Sequence, residues 1–291
     1  METNMTMAVI GAGLMGRGIA QIFSAGGYRA LLYDTDGRAL ESAMAWIREN
    51  MEEYVSREKL TGEEARQILR RITIMDSITD AVHPASIIVE AVPEVMETKQ
   101  KVLNEISAVA LPSALITTNT STMSITELAA AVRDPGQFLG VHFFHPVTRL
   151  KLVEVIYGRQ TRSEAADSMF RIIECIGKKP VRVLKDAPGF IVNRVNAPTQ
   201  ALINAVIEEG LIPPHEIDCE MRKLGLPMGP FEIADFVGLD VFVNTLQYYT
   251  DHLSRDYQPG PRLLDMIDKG LLGAKTGIGI YRWENGKADI P

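Results

Sequence analysis

Cysteine is nearly absent from this chain: there are two in 291 residues, Cys175 and Cys219, far apart and outside any C-x-x-C spacing. That argues against a disulfide framework and a cysteine-based zinc site, and it suits a reducing compartment. Long apolar runs are missing too. None is long enough to span a bilayer, and no basic-then-apolar leader pattern precedes the first strand-like run. A cytoplasmic protein without a membrane partner is expected. Positive charge is the minority sign, with 30 Lys and Arg against 37 Asp and Glu, a formal net charge of −7. Nucleic acid is therefore not expected as a partner, although an anionic small molecule needs only local N–H groups and a few cations. What is present is ordinary for a globular protein, 46% hydrophobic and 23% charged, in a chain long enough for about two domains.

The stretch from Met7 to Asp34 organises the rest. A short apolar run, Met7 to Ile10, reads as a buried strand. Gly11, Gly13 and Gly16 follow, with Leu14 and Met15 between them, then a helix through Ala25 and a second strand, Ala30 to Tyr33. Asp34 ends that strand, 18 residues after Gly16. Strand, G-x-G-x-x-G, helix, strand and acid is the setting that separates a dinucleotide-binding turn from a chance glycine cluster. Gly11 turns the chain, Gly13 admits a pyrophosphate to the helix N-terminus, and Gly16 lets helix and sheet approach. Asp34 can accept hydrogen bonds from both ribose hydroxyls. Flavin and nicotinamide sites share the motif. Asp34 and Asp36 would repel a 2′-phosphate and Arg38 is the one cation nearby, so NAD is expected rather than NADP.

Further on, a long helix from Arg38 to about Ser56 and a second one opened by the capping box Thr61 with Glu64 predict a helical hairpin. Arg57 and Lys59 lie near its tip, where a solvated charged turn is the plainer reading. Apolar strands at 72–75 and 87–92 lead to Pro93 and Glu94, at the strand end where ligands sit in open α/β sheets. Another strand, 115–118, ends in the small polar cluster Asn119 to Thr122, which fits either turn chemistry or ligand contacts. FLGVHFFHPV and LKLVEVIYG read as two further strands, antiparallel or mixed, carrying His142 and Glu154. A strand-end histidine beside a carboxylate on a neighbouring strand suits proton transfer near neutral pH. Pro146 rules out one helix bearing His142 and His145 together, and no metal site is expected. After a helix 163–176 and a strand 180–185, Asp186 to Gly189 is the candidate linker. Helices follow, the first from Phe190 to Glu209, apolar on more than one face and kinked at Pro198, hence buried in a core or a subunit interface. The fold expected is α/β: a Rossmann-type N-terminal domain, residues 1–185, and a smaller all-α C-terminal domain, residues 186–291.

GAGLMGRGIAQ, IIVEAVPE, NTSTMSI, HFFHPV with KLVEVI, DAPGFIVNRV, PMGPFEIADFVGLD and GLLGAKTGIGIY occur in that order. Together they resemble the L-3-hydroxyacyl-CoA dehydrogenase family (3-hydroxybutyryl-CoA dehydrogenase type) along essentially the whole chain. The resemblance implies NAD-dependent interconversion of (S)-3-hydroxyacyl-CoA and 3-oxoacyl-CoA, with an acyl-CoA as partner and a homodimer held by the helical domain. It makes His142 the catalytic base and Glu154, 12 residues on, its carboxylate partner. Ser121 and Asn193 match residues that contact the reacting part of the substrate. Glu94, Lys99 and Asn119 match positions around the cofactor, and Arg57, with Lys59 beside it, falls loosely near a basic residue for coenzyme A phosphates. His145, Ile280 and Ala205 depart from the family's usual Asn, Phe and Glu. All three bear on the acyl pocket or the domain interface rather than on the chemistry. Rival readings are a dehydrogenase of a non-thioester 3-hydroxy acid and a non-catalytic NAD-binding protein on the same scaffold, with a flavoprotein behind both.

Overall fold

A computed structural model describes residues 5–290. The chain divides into two units, one up to Phe190 and one from Ile191 onward.

The first unit is built on eight strands. In chain order these are β1 (Thr6–Ile10), β2 (Arg29–Tyr33), β3 (Ile72–Ile74), β4 (Ile87–Glu90), β5 (Leu115–Thr118), β6 (Phe138–Phe143), β7 (Leu152–Ile156) and β8 (Lys179–Val183). They lie side by side in the order β3-β2-β1-β4-β5-β6-β7-β8. Pairing is parallel except between β6 and β7, which run antiparallel. The sheet is therefore mixed at this point, because an eight-residue connector (144–151) is too short for a crossover helix. The strands β4 and β5 are buried along their whole length, as expected for strands covered on both faces.

Helices do the covering: α1 (Leu14–Ala25), α2 (Gly37–Ser56), α3 (Gly62–Arg70), α4 (Ile78–Val82), α5 (Met96–Val109), α6 (Ile125–Leu128) and α7 (Ser163–Cys175). Alternate strand residues feed two cores. Val9, Leu32, Val89 and Val141 join Ile19, Phe23, Ile47 and Met169 on one face. Ala8, Leu31, Ile88 and Phe138 join Leu103, Ile106 and Leu128 on the other. The helical hairpin α2–α3 is present, and its capping box forms as the sequence predicts: Glu64 N–H donates to the Thr61 hydroxyl and Thr61 N–H to the Glu64 carboxylate.

The second unit contains α8 (Val192–Glu209), α9 (Pro214–Lys223), α10 (Pro230–Val237), α11 (Leu239–His252) and α12 (Pro261–Asp268). It closes with a two-stranded antiparallel hairpin, β9 (Arg282–Glu284) and β10 (Lys287–Asp289), which the all-α expectation omits. The Asn285-Gly286 turn, with both residues at positive φ, was its sequence signal. Of the two placements expected for helix α8, a core or a subunit interface, the core of this chain takes only Ala197, Ile203 and Asn204, while Val195 is 73% and Leu202 64% exposed. The core of this unit gathers Ile203, Phe231, Leu239, Phe242, Leu246, Leu263 and Trp283.

Candidate active site

The glycine-rich turn leaves β1 as its spacing requires. Gly11 sits at φ +107°, and a Cβ there would meet the Ala91 carbonyl oxygen at 2.6 Å. A Cβ on Gly16 would lie 1.8 Å from the Gly11 oxygen, so no other residue fits. Gly13, by contrast, faces open space, with nothing within 4 Å of a Cβ. No side chain caps the first turn of α1, which leaves its N–H groups directed at whatever enters. A cleft of about 770 Å³ opens there, lined by Gly11, Gly13, Leu14, Met15, Asp34 and Asp36 on one side and by Val92, Pro93 and Thr98 on another.

Asp34 is half-buried, and its two oxygens accept from the Ala12 N–H at 2.7 Å and the Asp36 N–H at 2.9 Å. Each oxygen keeps capacity for a second donor, as a ribose hydroxyl would need. Arg38 does not line the cleft, and its N–H is taken by the Asp36 carboxylate. The open cradle, the uncapped helix and the fixed carboxylate fit NAD.

At the far end of β4 lies a buried ionic cluster that sequence reasoning only half resolved. Glu90 and Lys99 are both fully buried and meet at 2.8 Å. The Lys99 ammonium also reaches the Val92 carbonyl at 3.2 Å and Glu94 at 3.3 Å. An ammonium has three protons, and these three acceptors can occupy all of them, so Lys99 fastens Glu94 to the sheet. Its burial was legible: Lys99, Leu103 and Ile106 form the inward stripe of α5. Glu94 in turn accepts from the Thr120 hydroxyl, from the Ser121 N–H at 2.8 Å and from the Ser121 hydroxyl at 3.3 Å. Thr118 donates to the remaining oxygen of Glu90. The ends of β4, α5 and β5 are thus laced together behind Ser121. Glu90 and Thr118 were not singled out from the sequence, because a strand-end Glu or Thr has no periodicity to mark it.

Asn119 extends the lacing to the next strand, accepting the Phe143 N–H at 2.9 Å. One residue before Phe143 is His142, the exact cross-strand partner of Glu154 in the antiparallel register. Its Nδ1 lies 2.7 Å from the Glu154 oxygen, in a pair with side chains 7% and 0% exposed. A carboxylate only accepts, so Nδ1 carries the proton and Nε2 is the nitrogen left to face a substrate. Phe144 and Phe190 flank the imidazole, with ring centroids 4.3 Å and 6.0 Å away. Phe190 itself stands at φ +51° directly after Gly189 at +76°. This left-handed pair, strained for an aromatic residue, turns its ring into the sheet-side core.

The remaining candidates belong to other segments of the chain. Asn193 is in the first turn of α8, in the second unit. Arg57 is exposed and paired with Glu53 at 2.7 Å, while Lys59 lines a separate pocket.

The family description "3-hydroxyacyl-CoA dehydrogenase, NAD binding domain" matches residues 6–187, and "3-hydroxyacyl-CoA dehydrogenase, C-terminal domain" matches 189–283. The chain is 37% identical over 281 residues to a 3-hydroxyadipyl-CoA dehydrogenase of Escherichia coli, covering 96% of this chain and 59% of that one. It is 37% identical over 290 residues to a probable 3-hydroxybutyryl-CoA dehydrogenase of Bacillus subtilis, covering 98% and 99%. The crystal structure of an (S)-3-hydroxybutyryl-CoA dehydrogenase from Ralstonia eutropha is similar with a TM-score of 0.90 at 34% identity, over 97% of this chain and all of that one. The two matching domains, together with a glycine cradle shaped for the dinucleotide, place this chain in the family of NAD-dependent 3-hydroxyacyl-CoA dehydrogenases.

Proposed function

We propose that the protein interconverts (S)-3-hydroxyacyl-CoA and 3-oxoacyl-CoA, with His142 as the acid–base group. The observation that carries this reading is the His142–Glu154 pair, buried and set by strand register. In the oxidising direction Nε2 of His142 removes the C3 hydroxyl proton, and Glu154 stabilises the imidazolium that results. In reduction the same nitrogen returns the proton. Bound NAD supplies the hydride acceptor, or as NADH the donor. Ser121, steadied by Glu94, orients the C3 oxygen or the thioester carbonyl, a positioning role shared with Asn193. Phe144 and Phe190 keep water from the imidazole.

The relatives' names point to short acyl chains, hydroxybutyryl and hydroxyadipyl among them. The test is NADH oxidation with acetoacetyl-CoA, beside a longer 3-oxoacyl-CoA and free acetoacetate. Turnover of the thioesters alone is expected. Preference for free acetoacetate would move the protein to the non-thioester reading.

A homodimer is part of the same proposal, supported by the apolar residues the second unit leaves in solvent, among them Val195, Leu202, Leu211 and Leu224. Sedimentation equilibrium at micromolar concentration should give twice the chain mass, and a single-chain mass would remove it. No helix among the described residues is long and apolar enough to cross a membrane. The cytoplasm is retained as the proposed compartment.

A further inference from the structure

Two carboxylates are fully buried among the described residues of the first unit, Glu154 and Glu90. Glu154 serves the imidazole, whereas Glu90 has no part in the proton transfer. A buried ion pair is seldom the most stable filling for its space, since two apolar side chains there would cost no desolvation of charge. Glu90 and Lys99 therefore call for a use beyond stability. Both oxygens of Glu90 are committed. Its Oε1 accepts from the Val92 N–H at 2.7 Å and from Lys99 at 2.8 Å, and its Oε2 accepts from the Thr118 hydroxyl. The Lys99 ammonium goes on to reach Glu94 at 3.3 Å. With two carboxylates against one ammonium, the cluster carries one net negative charge. Without Glu90, the ammonium and Glu94 would cancel.

Strand order places this charge on the path of the dinucleotide. The glycine turn follows β1 and His142 lies on β6, with β4 and β5 between them. Three strand spacings make about 14 Å. A dinucleotide with its pyrophosphate at Gly13 and its hydride-exchanging ring beside His142 has to cross the carboxyl ends of β4 and β5, just beyond which Glu94 and Ser121 stand. That crossing rests on the His142 reading. The Glu94 side chain is 37% exposed, while those of Glu90 and Lys99 are 0% and 1%. Glu94 is thus the member open to the ring, and the other two govern its charge from inside. The nicotinamide is a cation when oxidised and neutral when reduced, so a net negative charge beside it stabilises the oxidised form alone. Burial limits the screening of that charge by salt.

We propose that Glu90 is a positioning residue that sets the charge beside the nicotinamide. By neutralising Lys99 it leaves Glu94 a full negative charge, which favours the oxidised dinucleotide over the reduced one. The bound couple then has a lower reduction potential, and bound NADH is the stronger hydride donor.

Calorimetric titration of the full chain with NAD, NADH and ADP-ribose, all without acyl-CoA, tests this. In Glu90→Gln the ratio Kd(NAD)/Kd(NADH) should rise about tenfold, which raises the potential of the bound couple by about 30 mV. ADP-ribose has no nicotinamide, and its unchanged affinity verifies folding. Glu94→Gln removes the same unit of charge at a partly exposed side chain and should shift the ratio in the same direction. Glu90→Gln/Lys99→Met removes one charge of each sign and restores the net negative charge, so its ratio should return to within about twofold of the unmodified protein. A merely structural pair would not recover in this way, because the double variant disturbs packing at least as much as the single one. A ratio that stays put in both single variants, or a double variant displaced as far as Glu90→Gln, overturns the proposal. Since no acyl-CoA is present, this outcome is separate from that of His142→Gln, whose loss of turnover tests the acid–base reading on its own.

Discussion

Both units bury carboxylates completely, and they answer them in opposite ways. In the first unit Glu90, which ends β4, and Glu154, midway along β7, meet side-chain bases, Lys99 and His142. In the second, Asp218 and Asp235 are equally buried but meet mostly backbone. Asp218 accepts the Phe231 and Glu232 N–H groups and the Tyr281 hydroxyl. Asp235 accepts the Ile280 and Tyr281 N–H groups and the Trp283 indole. A backbone donor never releases its proton, so those two aspartates can only tie segments together, 63 residues apart for Asp218 and Tyr281. An imidazole can exchange its proton. The partner, rather than the burial, separates a working carboxylate from a structural one.

This contrast breaks most readily at His142. His142→Gln keeps a polar side chain but cannot carry the proton, and turnover with acetoacetyl-CoA should fall ~10²–10⁴-fold while NADH still binds. Near-normal turnover would remove the proposed base. Glu154→Gln preserves shape and loses charge, so turnover should fall as well, by at most about 10⁴-fold, again with NADH affinity retained.

On the structural side, Asp235→Asn sets an amide N–H against donors and should lower unfolding free energy by about 1–3 kcal/mol, measured by urea titration. Its pH dependence has a definite sign. Burial holds the Asp235 carboxyl above its ordinary value of 3.8, so the native chain retains a proton the unfolded chain has released. Stability from this group is complete below that ordinary value and declines as pH rises through the folded one. The deficit of Asp235→Asn should therefore narrow with rising pH in acid. A deficit that widened would show that the tie had been misread.

The smallest effect is expected at Asp34. Asp34→Ala should raise KM for NADH about tenfold and affect NADPH less. Better use of NADPH than NADH by the unmodified protein would refute the assignment.

The sequence was legible where function depends on local backbone. Gly11 and Gly16 announce themselves because no other residue fits, and a capping box names its own helix start. His142 and Glu154 could be put on neighbouring strands, but their direct pairing depends on how residues 144–151 turn, which no periodicity encodes. The aspartate ties to the GIGIY segment were invisible for the same reason: their partners lie 45 and more residues away. Helix α8 left two placements open. Apolar residues read alike whether they await a core or a partner chain, and the fold of one chain leaves Val195 and Leu202 in solvent.

One consequence of the β6–β7 register concerns how the protein would lose activity. Each member of the pair is carried by a backbone position bonded into the ladder, with parallel neighbours β5 and β8 outside it. No loop motion can separate the imidazole from its carboxylate. On a denaturant ramp the acid–base pair should come apart only when the sheet itself melts, and a slip of one residue along β7 would replace Glu154 with a valine from either side, Val153 or Val155, erasing the acid–base group without disturbing a single glycine of the cofactor turn.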